Sequence, residues 1–262
     1  PVGNTPLLDW TLERLAKSGV KEVIFAVNYM ADAFVRRYGG SSYGMKVLYS
    51  KETRPLRTGG CIKRAEGLIG HEEPFLVLNG DILTDIIYTD LVKRHKQNDA
   101  TATVALHRVP DPSRYGIVEM TKENRVQRFV EKPKAEEAPT NLANAGIYVL
   151  SPEVFGYIPE GKPISIEYEV FPLLARSEGL YGHDFEGLWV DIGEPQDYLL
   201  ANRLFLDAQI KGGRLEKNVG MGGEVEMKPP IVVGKEATVG EKSKIGPHVA
   251  IGEQVAIGKG VR

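Results

Sequence analysis

Cysteine occurs once in 262 residues, as Cys61, which excludes an internal disulfide and fits a reducing compartment. No apolar run approaches the ~20 residues of a membrane-spanning helix, and the opening residues carry no charged-then-apolar leader pattern, so a cytoplasmic location is expected. The five histidines are dispersed, with no zinc-like spacing. Neither G-x-x-x-x-G-K-[ST] nor G-x-G-x-x-G occurs, which removes the usual support for kinase-type phosphate binding and for dinucleotide binding. Excess charge of either sign is also lacking: 33 Lys and Arg face 35 Asp and Glu, a net charge of -2. Such a balance argues against a nucleic-acid stripe or an anionic-membrane patch and points to small-molecule partners.

What is present is an ordinary 42% of hydrophobic residues, enough for one large α/β domain and a smaller unit. The stretch Pro74-Phe75-Leu76-Val77-Leu78-Asn79-Gly80-Asp81 is too short an apolar run for a helix and reads as a buried strand that delivers Asp81 to its C-terminal tip. Before it, a helix capped by Thr5-Pro6, a strand at 22–28, a helix at 31–38, a strand at 45–49 and a helix at 60–68 alternate as parallel β-α-β units do. After it come a helix at 88–97 and a strand at 101–107, then strands at 116–120, 126–130 and 145–150 joined by turns. The expected class is α/β, a Rossmann-like mixed but mostly parallel sheet with an antiparallel insertion. Helical patterns return at 151–157, 167–176 and 195–208, the last preceded by Leu188-Trp189-Val190 and a second strand-end carboxylate, Asp191.

Glycines and Pro229-Pro230 mark 211–230 as a linker between a domain at 1–210 and a module at 231–262. In that module an aliphatic-glycine pair recurs every six residues: Val233-Gly234, Val239-Gly240, Ile245-Gly246, Ile251-Gly252 and Ile257-Gly258. A hexapeptide period predicts a parallel β-helix with the apolar residue inward, the alternative being ordinary hairpins. So short a solenoid cannot cover its own ends, so a homo-oligomer or capping by the rest of the chain is expected.

Three places could carry chemistry. Mg²⁺ takes one or two carboxylates and completes its shell with water and substrate phosphate, which Asp81 and Asp191 would suit if the fold joined them; otherwise Asp81 caps a turn. Glu131-Lys132-Pro133 sets an acid beside an amine at a strand end, able to accept sugar hydroxyls and to meet a phosphate, or else a solvated ion pair. Pro55-Leu56-Arg57-Thr58-Gly59-Gly60 opens a helix whose free amides could hold a phosphate or a base edge, unless the glycines serve packing.

In order, PVGNTPLL from Pro1, PLRTGG from Pro55, LNGD from Leu78, DPSRYGIVE from Asp111, RFVEKPK from Arg128, NAGIYVLSPEV from Asn144, SIEYEVFP from Ser165 and LWVDIGEPQDY from Leu188 resemble the sugar-1-phosphate nucleotidylyltransferase family, nearest in look to its mannose-1-phosphate guanylyltransferases. The resemblance implies a left-handed β-helix and substrates that are a nucleoside triphosphate and a sugar 1-phosphate. It also implies Mg²⁺ on Asp81 and Asp191, Lys132 on the sugar phosphate, Glu131, Gly116 and Asn144 around the sugar, and Gly59, Gly60 and Asn79 along the nucleotide. Two features depart from the family. Arg57 stands where glycine is common, and the strand and glycine-rich phosphate loop that open the family precede Pro1, so roughly twenty further residues are expected there. A non-catalytic assembly subunit of the same fold is the rival expectation.

Overall fold

The computed structural model describes residues 1–210 and 213–262; the first two residues of the expected linker, 211 and 212, lie outside the described residues. Contacts gather into two compact units, Leu12–Trp189 and Pro1–Thr11 with Val190–Arg262. The helix α1 (Leu7–Lys17) runs through the first of these boundaries.

In the larger unit, β1 (Glu22–Val27), α2 (Ala31–Tyr38), β2 (Ser41–Ser42) and β3 (Met45–Lys51) form a small sheet of their own. β1 and β3 pair in parallel from Glu22↔Lys46 to Val27↔Lys51, with α2 as the crossover. Phe25 sits 5.2 to 5.9 Å from the rings of Phe34, Tyr38 and Tyr49, which pins α2 to this sheet.

The main sheet follows α3 (Arg57–Arg64) and α4 (Glu66–Ile69). Its strands are β4 (Phe75–Leu78), β6 (Ala102–Arg108), β7 (Gly116–Met120), β8 (Val126–Glu131), β9 (Leu142–Leu150) and β10 (Leu180–Asp184), with β5 (Ile82–Thr84) and α5 (Tyr88–Gln97) between β4 and β6. The order is β10-β6-β9-β7-β8, and β4 also pairs with β9. A mixed α/β fold is therefore present, but the expectation of a mostly parallel sheet needs correction. In this sheet only β6 and β10 run parallel, while β4, β6 and β7 all lie antiparallel to their neighbour β9. The strands β7, β8 and β9 follow one another without a crossover helix, and connections of that kind dictate antiparallel pairing.

β9 is the axis of this unit. Eight of its nine residues are buried, the exception being Asn144, as expected of a strand covered on both faces. β4 occupies its C-terminal half, from Phe75↔Leu150 to Leu78↔Ile147, and β7 meets its start at Ile117↔Ala143. Residues 144–146 fall in the interval between these two partners. The β6 register also shifts there, between Val104 and Leu106, and Gly146 adopts φ +70°, a bulge that glycine takes without a Cβ penalty. Beneath the sheet, Leu106, Tyr148, Phe155, Ile166, Phe171 and Leu174 form the centre of the core. The expected helix at 167–176 is a π-helical turn, Ile166–Val170, continued by α6 (Phe171–Arg176).

In the smaller unit, β11 (Trp189–Asp191) leads through a turn to α7 (Pro195–Gln209). The N-terminal turn is fixed there by Gly3 N donating to Asn202 Oδ1 at 3.0 Å, Asn4 Nδ2 donating to Ile251 O at 2.6 Å, and Trp10 against Phe205 at 4.7 Å. Eight short strands follow: β12 (Gly213–Leu215), β13 (Gly220–Met221), β14 (Glu226–Met227), β15 (Ile231–Val233), β16 (Thr238–Val239), β17 (Lys244–Ile245), β18 (Val249–Ile251) and β19 (Ala256–Ile257). They build three parallel sheets, β12-β15-β18, β13-β16-β19 and β14-β17. Gly213 pairs with Ile231 and Ile231 with Val249, so each step is 18 residues, three of the six-residue repeats. Ile231, Val233, Ala237, Val239, Ile245 and Ile251 are buried together.

The segment expected as a linker thus carries three strands, β12 to β14. Leu215, Met221 and Met227 hold the six-residue register that Val233 continues, with side chains not branched at Cβ. Among the described residues no helix is long and apolar enough to cross a membrane.

Candidate active site

Two of the expected site residues, Asn79 and Asn144, meet at the interval on β9. Asn79, just past β4, donates its backbone N–H to Gly146 O at 2.9 Å, and its side chain lies over Gly146, where a Cβ would come within 2.7 Å of Asn79 Nδ2. Asn144 Oδ1 accepts from Gly146 N at 2.9 Å, and Asn144 Nδ2 donates to the Tyr148 hydroxyl at 3.0 Å. Trp189 Nε1 donates to Ala145 O at 3.0 Å, and its ring stacks on His107 at 5.5 Å and meets the edge of Tyr115 at 5.2 Å. Ala145 and Gly146 are thereby held from other segments, by Trp189 and by the Asn79 backbone, while Asn144 is held within β9 by Tyr148.

The Glu131-Lys132 pair stands at the end of β8 opposite Gly116, since Gly116↔Glu131 is the first pairing of the β7–β8 ladder. Gly116 must be glycine for space: a Cβ there would strike the Glu131 carboxylate and stand 2.8 Å from Phe129 Cζ. Glu131 Oε2 is buried with no hydrogen-bond partner among the described residues. Burial first, and the charge of Glu167 second, raise its pKa above the ordinary carboxyl value, while Lys132 opposes them. Lys132 is exposed at φ +46°, its N–H bound to Tyr115 O at 3.0 Å, and it precedes Pro133. A left-handed residue directly before proline is doubly restricted in its backbone.

The glycine pair packs closely within the chain. Gly59 N and Gly60 N both donate to Ile164 O, at 2.8 and 3.1 Å, so these amides are already engaged and are not free for a phosphate or base edge. A Cβ on Gly60 would meet Lys162 O at 2.6 Å, which makes the pair a close-packing surface for 162–166. Arg57 has φ +59°, the left-handed region that favours glycine, which gives a physical reason for glycine being common at this place.

Two residues that sequence reading left out join these pieces. Glu167 accepts from Thr58 Oγ1 at 2.5 Å, Ser165 Oγ at 2.6 Å and the Tyr148 hydroxyl at 3.3 Å. Tyr148 is buried, and burial first, then the charge of Glu167, keeps its hydroxyl protonated. No local pattern marked either residue, because Thr58 and Tyr148, which meet at Glu167, are remote from it in the chain.

Asp81 stands in an exposed turn between β4 and β5. At the far end of β5, Asp85 clips the segment before Trp189, its N–H to Leu188 O at 3.1 Å and its carboxylate accepting from Leu188 N at 2.8 Å. Asp191 belongs to the smaller unit, at the end of β11. Among the described residues no three His, Cys, Asp or Glu side chains gather as a metal cage. A lone hard carboxylate at a strand tip matches a cation that draws its other ligands from water and substrate oxygens.

A family model described as nucleotidyl transferase matches residues 1–208. The mannose-1-phosphate guanyltransferase of Yarrowia lipolytica is 41% identical over 214 residues, covering 80% of this chain and 58% of that protein. The mannose-1-phosphate guanyltransferase of Saccharomyces cerevisiae is 38% identical over 229 residues, covering 85% and 62%. The chain therefore spans about three fifths of the length of these relatives. Among solved structures, HddC from Yersinia pseudotuberculosis complexed with GMP-PN superposes with a TM-score of 0.65 at 27% identity, covering 78% of this chain and 88% of that one. On a match over most of its length, the chain belongs to the nucleotidyl transferase family.

Proposed function

We propose that this chain carries out nucleotidyl transfer from a nucleoside triphosphate to a sugar 1-phosphate, releasing pyrophosphate, with GTP and mannose 1-phosphate as substrates. The observation that carries the reading is the buried, unpartnered oxygen of Glu131 beside the outward Lys132. An acceptor-only carboxylate suits sugar hydroxyls, and an adjacent ammonium suits the phosphate of the same molecule. Support for guanine and mannose comes from the names of the two fungal relatives and from the guanine nucleotide analogue in the HddC complex.

The phosphate monoester oxygen is already a competent nucleophile and attacks the α-phosphorus in line, so no general base is required of the protein. Lys132 holds the attacking phosphate, while Asn144 and Glu131 orient the sugar, and the gain lies in positioning. Asp81, and separately Asp191, are the candidate carboxylates for a divalent cation, Mg²⁺ by its preference for few carboxylates and several phosphate oxygens, which would supply neutralisation of charge on the reacting phosphates. The repeat module would be a left-handed β-helix through which copies associate, and the lone cysteine suits a cytoplasmic setting.

The engaged amides of Gly59 and Gly60 favour a second reading, a non-catalytic assembly subunit, because they withhold donors that a triphosphate could use. Pyrophosphate release measured over a grid of nucleotides and sugar 1-phosphates, on a chain including any native residues before Pro1, separates the two. Turnover with GTP and mannose 1-phosphate above all other pairs is expected. No release with any pair would favour the assembly role.

A further inference from the structure

The polar chain from Thr58 to Gly146 has a direction. Thr58 Oγ1 donates to Glu167 and accepts from Ile166 N at 3.0 Å. Ser165 Oγ donates to Glu167 and accepts from Tyr168 N at 3.2 Å. The Tyr148 hydroxyl donates to Glu167 and accepts from Asn144 Nδ2. Every hydroxyl thus receives an N–H and passes its own proton to one carboxylate. An ionised carboxylate only accepts, so Glu167 sets the sense of all three bonds. The Tyr148 oxygen must then face Asn144 as an acceptor, which turns the Asn144 amide so that Nδ2 points to tyrosine and Oδ1 to Gly146 N. The wider π-helical turn at Ile166–Val170 presents Glu167 to this junction, and such turns recur at functional sites. Neighbouring Glu169 turns back to accept from Ser165 N, closing the turn on itself.

We infer that Glu167 and Tyr148 are positioning residues: the Glu167 carboxylate joins the start of α3 to the hydroxyl that orients Asn144, and so fixes the sugar-phosphate side of the site. This rests on the reading of the site as one for a sugar 1-phosphate. Neither residue needs to touch substrate. Replacing the carboxylate by an amide turns one acceptor oxygen into an NH₂ donor facing hydroxyls that donate to the native carboxylate, so Tyr148 can reverse and the Asn144 amide loses its fixed orientation. Removing the tyrosine hydroxyl breaks the same path one step later while leaving the Glu167 charge in place.

The test is calorimetric titration of mannose 1-phosphate, with Mg²⁺ present, into the full chain and into Glu167→Gln and Tyr148→Phe, with pyrophosphate release recorded against pH. Glu167→Gln is expected to weaken sugar-phosphate binding by about tenfold or more, the usual scale for a hydrogen bond to a charged group, and to leave the KM for GTP nearly unchanged. Tyr148→Phe, losing a neutral bond, is expected to weaken it by about threefold to tenfold. The acidic limb of the pH profile should move to lower pH in Glu167→Gln, because Glu131 loses a like charge while Lys132 remains, and should stay in place in Tyr148→Phe. Should Glu167→Gln not fold, Tyr148→Phe carries the comparison. Folded variants that bind mannose 1-phosphate as the parent does would overturn the inference, and so would equal losses toward GTP and the sugar phosphate. A parent chain that binds no sugar 1-phosphate at all would overturn the substrate reading beneath it as well.

Discussion

At Gly146 a positive φ and a crowded neighbour coincide, and that pair of facts decides what the position tolerates. Gly146→Ala would strain a backbone at φ +70° and push on the Asn79 amide. The expected loss is about 1–3 kcal/mol of unfolding free energy, read from a denaturant midpoint, together with reduced turnover. Asp81 presents the opposite case. It is exposed in a turn and its charge serves no core, so Asp81→Asn should cost about 100-fold or more in turnover while moving the thermal midpoint by only a degree or two. A large fall in midpoint would mean that the carboxylate is structural. These two residues also mark how far single positions are legible in sequence. Asp81, Glu131 and Lys132 could be singled out as candidates because each ends an apolar run, a pattern that a turn cap or a solvated ion pair also produces. Glu167 and Tyr148 could not, because their role arises from partners such as Thr58, 109 positions away from Glu167 in the chain. The engaged amides of Gly59 and Gly60 were hidden for the same reason, since Ile164 O is remote in sequence.

Among the elements, α5 is tied to the main sheet by a buried histidine. His95 Nδ1 lies 3.0 Å from Thr103 Oγ1 on β6, and its Nε2 lies 2.9 Å from Ser151 Oγ just past β9. Ser151 gives its own proton to Ala100 O, so it accepts from His95 Nε2–H and leaves Nδ1 to accept from Thr103. Burial pushes this imidazole down to about 4. The neutral form is the native one, and the unfolded chain takes up a proton first. Above pH ~6.5 the group therefore contributes no pH dependence, and stability falls as pH drops from there toward about 4, by about 3 kcal/mol in all. Urea midpoints followed across that window should show the fall, and His95→Gln should flatten it. In the repeat module, Val239 is 2% exposed, and Val239→Asp would bury an unpaired charge. Loss of the parallel-strand signal and new proteolysis after residue 210 are expected, with the larger unit still folded. The elements α2 and α5 were readable to the residue from periodicity, and the repeat from its aliphatic-glycine pairs. Pairing was not readable. β9 takes three antiparallel neighbours because its buried run offers two edges and a bulge, and no local pattern says which strands will fill them. The strands of 213–227 were obscured because leucine and methionine keep the register without the β-branched signature.

For the molecule as a whole, each of the two compact units has its own interior, one centred on β9 and the other on the six-residue repeat. If copies associate through the repeat module, as proposed, sedimentation velocity at micromolar protein is expected to show species larger than a monomer. A single monomeric boundary with the module folded would count against association. Because pairing steps by 18 residues, side chains that far apart stand in file along one face: Glu226 beside Lys244 at 2.8 Å and Glu241 beside Lys259 at 3.0 Å. Length in this module is therefore quantised. An insertion or deletion of 18 residues returns every downstream side chain to the face it left, charge files included. One of six or twelve keeps the interior apolar but hands each outward residue to another face, and one that is not a multiple of six breaks the inward register. Drift in a lineage of such chains is thus free to lengthen the module by whole coils, while a gain of a single hexapeptide would redraw its surface at a stroke with the core intact.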